Sequence, residues 1–336
     1  MGRKMKKLIL AATVAAVLAP AAVIADSKVY GNFRGSVISS EQGGVNDKTE
    51  TQFVNNASRV GVKGEYGTEG GLTGFYNLQL GADNDGTTTS GTTTRFFFAG
   101  VKGNFGKVMA GRFSSPYKMA GLKTDPFYDT SAGSANGGSN HGYSNLTNGW
   151  LSNGVAYISP KIMGAITLNA AIFLDDDDNA SNGALNAGED PLVIGATYSA
   201  GGISASVQHF MDADGVDGDA TRVTAAFKTG PFGIAASYED HDTDAEFIAI
   251  SGTYQMSDNT KFAIAYGDVE DASANQGAVT AGFNTNGESI TAGVFQKIAP
   301  KTTITLIYSD VDANTDFVGD TSTDRKTIAL GIIQTF

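Results

Sequence analysis

From residue 27 to its end, the chain repeats one unit. Segments of about ten residues carry apolar side chains at alternate positions, and the connections between them are in turn tight and long. In 28–37, Val29, Phe33 and Val37 fall on one side, with Lys28, Asn32, Arg34 and Ser36 on the other. In 165–174, Ile166, Leu168, Ala170, Ile172 and Leu174 oppose Thr167, Asn169, Ala171 and Phe173. In 302–309, Ile304, Leu306 and Tyr308 oppose Thr303, Thr305 and Ser309. Successive side chains of a strand point to opposite faces, so each segment has an apolar face and a face of small or polar groups. A soluble sandwich also alternates, but its strands are usually about 5–6 residues long.

The connections discriminate better. One set is tight and holds the Gly, Pro and Asn that turns require: 68–71, 104–106, 159–161, 200–202, 230–233, 257–260 and 299–301. The other is mostly longer and acidic: 39–53, 82–93, 113–149, 175–191, 212–219, 240–245, 271–287 and 311–324. The two sets strictly alternate. All tight turns then share one rim and all long loops the other, which is the asymmetry of an outer-membrane barrel. The segments number about sixteen, an all-β transmembrane antiparallel β-barrel with both termini on the tight-turn rim. A barrel of this size leaves an aqueous channel, whereas eight strands fill with side chains. Residues 26–336 show no domain boundary and form one barrel domain.

The remaining 1–25 reads as a secretory signal peptide. Arg3, Lys4, Lys6 and Lys7 form a basic start, 8–18 is apolar, and Val23-Ile24-Ala25 is a small-residue cleavage site. Beyond it, no stretch reaches the ~18 apolar residues of a membrane-spanning helix. Removing the four cations leaves 19 basic against 35 acidic residues, a net charge near −16. Such a chain does not hold nucleic acid by neutralising phosphates. Without Cys there is no disulfide framework and no thiolate metal site.

One connection stands apart. Residues 113–149 are dense in Gly, Ser and Asn and carry an acidic-aromatic core, Asp125-Pro126-Phe127-Tyr128-Asp129. An irregular segment this long is usually functional or disordered. By position it is the third long loop, and its length and acid pair favour a fold into the lumen.

Several motifs resemble the general porins of Gram-negative outer membranes. They are Val29-Tyr30-Gly31, the run Asn56-Ala57-Ser58-Arg59-Val60-Gly61-Val62-Lys63-Gly64, the run Arg95-Phe96-Phe97-Phe98-Ala99-Gly100-Val101-Lys102-Gly103, Phe105-Gly106 with Gly111-Arg112, and the terminal Phe336. The resemblance spans the whole mature sequence. It implies a sixteen-stranded barrel, usually a homotrimer, with the third long loop bent inward. Phe336 resembles the signal read by the barrel-assembly machinery, and Gln334 departs from the aromatic or basic residue of many members. Outer-membrane lipid and lipopolysaccharide would surround the barrel, and Phe96, Phe98 and Gly100 would pack against a neighbouring subunit or lipid.

A water-filled pore discriminates by diameter and by fixed charge. Arg59 and Arg95 match positions resembling the family's basic constriction cluster, with Arg34 on the same face. Arg95 shares its face with Phe97 and Ala99, so periodicity alone leaves its direction open. Asp125 and Asp129 resemble the acids porins hold across the narrowest point. Bases on one wall and acids on the other would set a field transverse to flow. Two readings of Arg112 stand: an anchor at the loop's root, or a contact receiving Asp83 or Asp85 from a neighbouring subunit.

Function follows as passive diffusion of ions and small hydrophilic solutes. The alternatives are a substrate-specific channel and a non-conducting barrel or adhesin. The sole Trp, Trp150, reads as a border residue rather than a sugar platform. Catalysis is disfavoured, because His141, His209 and His241 lie in no nucleophile motif. No cofactor motif occurs. The acidic groups Asp175-Asp176-Asp177-Asp178 and Asp212, Asp214, Asp217 and Asp219 offer hard oxygen donors but lack EF-hand spacing, and read as a solvated outer surface.

Overall fold

The computed structural model describes residues 26–42, 48–68, 70–82, 92–132, 142–144, 150–174, 190–211, 219–242, 244–271, 286–314 and 324–336. The segment 1–25, the acidic run 175–178, Asp83, Asp85, His141, Asp212, Asp214 and Asp217 lie outside these.

Among the described residues the strands are β1 (Asp26–Gln42), β2 (Lys48–Asn55), β3 (Arg59–Gly67), β4 (Thr73–Ala82), β5 (Thr92–Gly103) and β6 (Gly106–Phe113). After a helix α1 (Pro116–Leu122) come β7 (Leu151–Ile158), β8 (Ile166–Phe173), β9 (Leu192–Ala200), β10 (Ile203–Met211), β11 (Ala220–Thr229) and β12 (Phe232–His241). The chain closes with β13 (Glu246–Gln255), β14 (Thr260–Glu270), β15 (Asn286–Ala299), β16 (Thr302–Asn314) and β17 (Arg325–Thr335). Each strand pairs antiparallel with its sequence neighbour, and β17 returns to β1, pairing Asn32 with Thr335 and Gln42 with Arg325. The sheet is a closed barrel.

The strand segments exceed the sixteen crossings because one crossing is broken. β2 and β3 pair with the same side of β1, Gly35 opposite Asn55 and Asn32 opposite Arg59. Between them Ala57 takes a left-handed φ of 62°. The sequence places the first long loop at 39–53, yet most of that range is strand, paired from Ser39–Thr51 out to Gln42–Lys48. The connection after β7 is longer than its tight-turn signal and holds an isolated bridge between Ile162 and Ile166.

Alternation assigns the faces. Val29, Val37, Leu168, Val207, Ile250, Leu306 and Leu330 stand exposed on the outside. Tyr157, Tyr198, Phe227, Phe232 and Tyr254 add exposed rings near the tight-turn rim, as an interfacial aromatic girdle requires. Phe336 joins them. Its backbone pairs with Gly31, and a Cβ on Gly31 would lie 2.5 Å from its ring. The inner face carries Ser36, Gln79, Ser206, Gln208, Thr224, Ser251, Thr291, Thr305 and Ser309, all buried.

The inner wall is not uniformly small and polar. Phe113, Tyr117, Leu151, Phe173, Val193 and Phe210 form one buried apolar cluster, joined by Phe75 and Phe98. Ile38, Phe127, Ala132, Ala263, Ala265, Ile307 and Ala329 form a second. Both contain residues of the third long loop, so these patches are its docking sites. Phe98 therefore does not face a neighbouring subunit. It packs edge-on against Phe75 and Phe113, with ring centroids 6.4 and 6.3 Å away.

The reason is a β-bulge. Gln79 pairs with Phe96 but Leu80 pairs with Thr94, leaving Arg95 as the extra residue. A bulge inserts one unpaired residue and shifts the side-chain alternation beyond it. Arg95 and Phe98 both point inward, while Phe97 stands 64% exposed outside. No helix of the described residues is long and apolar enough to cross a membrane; the crossings are made by strands.

Candidate pore constriction

The third loop begins at a second bulge, between Gly111 and Phe113 on the β7 side. Gly111 has φ 126°, and a Cβ there would strike the Phe97 carbonyl, so glycine is required. Phe113 turns inward onto Phe98 and Phe173. Ser115 then caps α1, accepting the Lys118 N–H at 3.1 Å, with Pro116 in the first turn. The helix lies along the inner faces of β8 to β11, burying Tyr117, Lys118, Ala120 and Gly121.

Beyond α1 the chain crosses the lumen. The Ser251 hydroxyl on β13 donates to the Thr124 carbonyl at 2.7 Å. Phe127 is fully buried and lies 6.0 Å from the Phe295 ring. A Cβ on Gly293 of β15 would come within 2.8 Å of the Phe127 ring, so the missing side chain is the seat of that ring. Burying a Phe contributes about 1.5–3 kcal/mol relative to leaving it exposed. The core Asp125-Pro126-Phe127-Tyr128-Asp129 is a compact turn. The Asp125 Oδ1 accepts the Phe127 N–H at 2.8 Å, and the Thr130 N–H donates to the Phe127 carbonyl at 2.9 Å.

This turn delivers Asp129, in a left-handed conformation with φ 58°, to the arginines. Arg59 forms an ion pair with the Asp129 carboxylate, and the Arg95 guanidinium stands 3.9 Å from the other oxygen. The Arg34 Nη1 donates to the Asp129 carbonyl at 3.2 Å. The supports are local. Arg59 Nε donates to the Ala57 carbonyl at 3.0 Å, which the strand break positions. Ser58 bridges to β1, accepting from the Arg34 N–H at 2.9 Å and donating to its carbonyl at 3.0 Å. Arg95 Nε donates to the Gln79 carboxamide oxygen at 3.1 Å, the residue opposite its bulge.

Of the residues singled out by sequence, the structure thus brings together Arg34, Arg59, Arg95 and Asp129. Asp129 stands among the arginines rather than across the channel from them. Asp125 is buried and shapes the turn. Arg112 stands opposite Phe97 in the β5–β6 ladder, hence towards the outer side. Its Nε donates to the Thr94 carbonyl at 2.9 Å and its Nη1 to the Ser152 hydroxyl at 2.7 Å, tying β5 to β7 at the loop's root.

Two participants escaped sequence reasoning. Trp150 is not a border residue. The Arg95 guanidinium lies 4.2 Å from its ring centroid and the Lys118 Nζ 3.5 Å. Lys118 is 1% exposed. Burial pushes its pKa well below the ordinary lysine value; the Arg95 charge adds to this, and Asp129 opposes it. Burial, with the Asp129 charge next, pushes Tyr128 up to about 12. The signal available in sequence was only the spacing of Trp150, one residue past the loop.

Beside the turn lies a cavity of about 360 Å³, lined by Arg34, Tyr128, Lys261, Lys297 and Asp258 among others. The Lys261 Nζ sits 4.1 Å from the Phe295 ring centroid. Among the described residues no group of three or more His, Asp or Glu could hold a metal ion. Asp219 is paired with His209 at 3.2 Å.

A closed barrel with a polar interior and an inward loop pinned at a charged cluster is the architecture of a channel protein. Residues 11–316 match the family described as Gram-negative porin, and the chain belongs to that family, a family of the outer membrane. Among curated relatives, the major outer membrane protein P.IB of Neisseria meningitidis serogroup B is 37% identical over 123 residues, 35% of this chain and 36% of that protein. The P.IB of Neisseria gonorrhoeae is 33% identical over 127 residues, 36% of each chain. The matched stretches span about a third of these relatives' length. Among solved structures, the anion-selective porin from Comamonas acidovorans superposes with a TM-score of 0.73 at 16% identity, covering 93% of this chain and all of that one. Salmonella typhi OmpF, in complex with daunomycin, gives 0.69 at 18% identity, covering 92% and 97%. These likenesses show the fold.

Proposed function

We propose that the chain forms a water-filled channel for passive diffusion of ions and small hydrophilic solutes, a conduit rather than a catalyst. It works as a homotrimer surrounded by outer-membrane lipid and lipopolysaccharide. Residues 1–25 serve as the export signal, and Phe336 as the mark read by the barrel-assembly machinery. The observation that carries the reading is the gathering of Arg34, Arg59 and Arg95 around the single carboxylate of Asp129, on a loop laid across a polar lumen.

The same observation favours small anions at the narrowest point, against the acidic total charge. Among the described residues, three guanidinium groups and Lys118 outnumber Asp129 and Asp125 of the turn, and the adjoining cavity adds Lys261 and Lys297 against Asp258. Low-dielectric walls focus such fixed charge. A relative in fold, the Comamonas protein, is described as anion-selective. Arg112 suits a subunit contact: a cation on the outer side is costly against lipid but is satisfied by a neighbour's acid.

Planar-bilayer recording and liposome swelling test this. The expected result is a conducting trimer, permeation that falls smoothly with solute size, and a reversal potential of anionic sign in a KCl gradient. One sugar permeating far out of size order would establish a substrate-specific channel. Folded protein without conductance would establish a structural barrel or adhesin.

A further inference from the structure

On the tight-turn side of the loop's turn, the cavity of about 360 Å³ holds cations that the pairing of arginines with Asp129 does not use. The strand register builds its wall. Lys261 on β14 stands opposite Phe295 on β15. Next on the inner face of β15, Lys297 stands opposite Thr303 on β16, Thr303 opposite Ile333 on β17, and Ile333 opposite Arg34 on β1. Directly opposed residues have Cβ atoms about 4.5–5.5 Å apart. Two long cations, Lys297 and Arg34, therefore flank two shorter side chains, and a basin is left between them. Pro126 and Tyr128 close it on the loop side, and Asp258 and Asn259 of the tight turn stand at its exposed mouth. The lysines are not matched by acids. The Lys261 Nζ rests 4.1 Å from the Phe295 ring centroid. Among the described residues neither Lys261 nor Lys297 forms an ion pair, and Asp258 forms none either. Arg34 differs, because its Nη1 donates to the Asp129 carbonyl at 3.2 Å.

We propose that this basin is a binding site for a small organic dianion, a dicarboxylate or a phosphate monoester, beside the constriction on the tight-turn side. Each ammonium offers three donors and accepts nothing. Two of them without an acid partner, set in a low-dielectric wall, hold a focused positive potential. A dianion answers both at once, whereas a neutral sugar answers neither. At about 30 Å³ for each water, the basin has room for about a dozen water-sized groups. A halide leaves most of that space empty, and a compact molecule with an anionic group at each end fills it. The Thr303 hydroxyl and the Asn259 carboxamide supply neutral donors, and Phe295 and Ile333 give a short apolar floor for the body of the molecule. Asp258 opposes an anion at the mouth. It keeps the site weak enough to release its occupant, as passage requires. Arg34 borders both the arginine cluster and the basin, and its planar fork matches carboxylate and phosphate alike. Flux of such acids then saturates with concentration, while flux of neutral solutes does not.

The test is titration calorimetry of the folded barrel in detergent, with succinate and glycerol phosphate as separate probes, paired with planar-bilayer recording of the same additions. Heat-modifiable gel mobility selects folded protein. Saturable binding is expected for at least one probe, and the tighter of the two names the class, carboxylate or phosphate. Acetate and glycerol should bind about tenfold more weakly or less. In the bilayer the bound probe should lower the KCl current saturably, with its half-effect near the calorimetric Kd. Lys261→Met and Lys297→Met should each weaken binding about tenfold, the scale of one charged hydrogen bond. Asp258→Asn should tighten it several-fold. Lys161→Met removes an equal charge from another tight turn, where Lys161 is exposed, and should change nothing. The site is overturned by the absence of saturable binding of either probe, by equal binding of acetate, or by equal weakening in Lys161→Met. If Lys261→Met does not fold, the exposed Lys297 and Asp258 decide the matter, and unchanged affinity in both variants overturns the site. The link to permeation rests on the channel reading. If the unaltered protein does not conduct, that reading fails while calorimetric binding stands; conduction without saturable binding removes the site alone.

Discussion

The inward loop is held by two arginine–carboxylate pairs on opposite sides of the lumen, and they differ in who supplies the acid. At the arginine cluster the wall gives Arg59 and Arg95 while the loop gives Asp129. At the far side the wall gives both Arg222 and Glu239, and among the described residues the loop meets them with the Tyr117 carbonyl and ring and with the Ser144 hydroxyl and N–H. The first pair keeps some contact with solvent, Arg59 being 13% exposed, and the second keeps none. A pair at the water's edge can act on passing ions. A pair sealed from water can only hold structure. In the proposed channel, charge near the path would serve selection and charge behind the loop position.

Breaking the sealed pair should have the largest effect. Arg222→Met leaves Glu239 buried without its cation, a loss of about 3–5 kcal/mol, to be read as lowered resistance of the folded barrel to heat or denaturant in detergent. Phe127→Ala empties the seat at Gly293 and should weaken loop docking by about 3 kcal/mol, with noisy conductance but a barrel that still folds. Gly293→Val overfills that seat and should act in the same direction by about 1–3 kcal/mol.

The pair at the water's edge should respond in the current rather than in stability. Asp129→Asn removes the carboxylate that meets three arginines and should shift the reversal potential further towards anions, while Arg59→Gln shifts it back. Equal shifts from Glu239→Gln would erase the distinction between the two pairs. The smallest effect belongs to Lys118. Its pKa is depressed, so the folded protein releases that proton before the unfolded chain does at about 10.4. Anion preference should decline as pH rises through the depressed value. Stability should climb between that value and about 10.4, because the unfolded chain binds more protons there. Both trends should be absent in Lys118→Met.

Much of the barrel was legible because period-two alternation and turn residues are local signals. The tight connections at 104–106, 200–202, 230–233 and 299–301 fall where chain reversals occur, and the outer rows from Val29 to Leu330 were readable as apolar parity. What failed was parity across irregularities. Phe96 and Phe98 were assigned outward because nothing in Thr92-Thr93-Thr94-Arg95 announces an extra residue. Arg59, Arg95 and Asp129 were singled out through motif resemblance, and Arg34 through its place on the polar face of the first strand. Arg222 and Glu239 were not, since in sequence each is one more polar residue on an alternating strand. Their significance comes from pairing across two strands with a loop more than seventy residues away. Trp150 was misread for the same reason: its partners, Arg95 and Lys118, come from a bulge and a helix that alternation does not encode.

The bulge at Arg95 also carries a consequence for how this chain tolerates change. In a strand a frame is two residues wide, and the bulge is a deliberate slip of one. Deleting a single residue from Thr92-Thr93-Thr94 would let the ladder of β4 and β5 close without the slip. The guanidinium would then swing from Gln79 and Trp150 into hydrocarbon, at a cost of about 2–4 kcal/mol near the membrane midplane. Asp129 would lose one of its cations in the same step. Substitutions in that threonine run cost little by this logic, whereas a change in its length rewrites the lining of the pore.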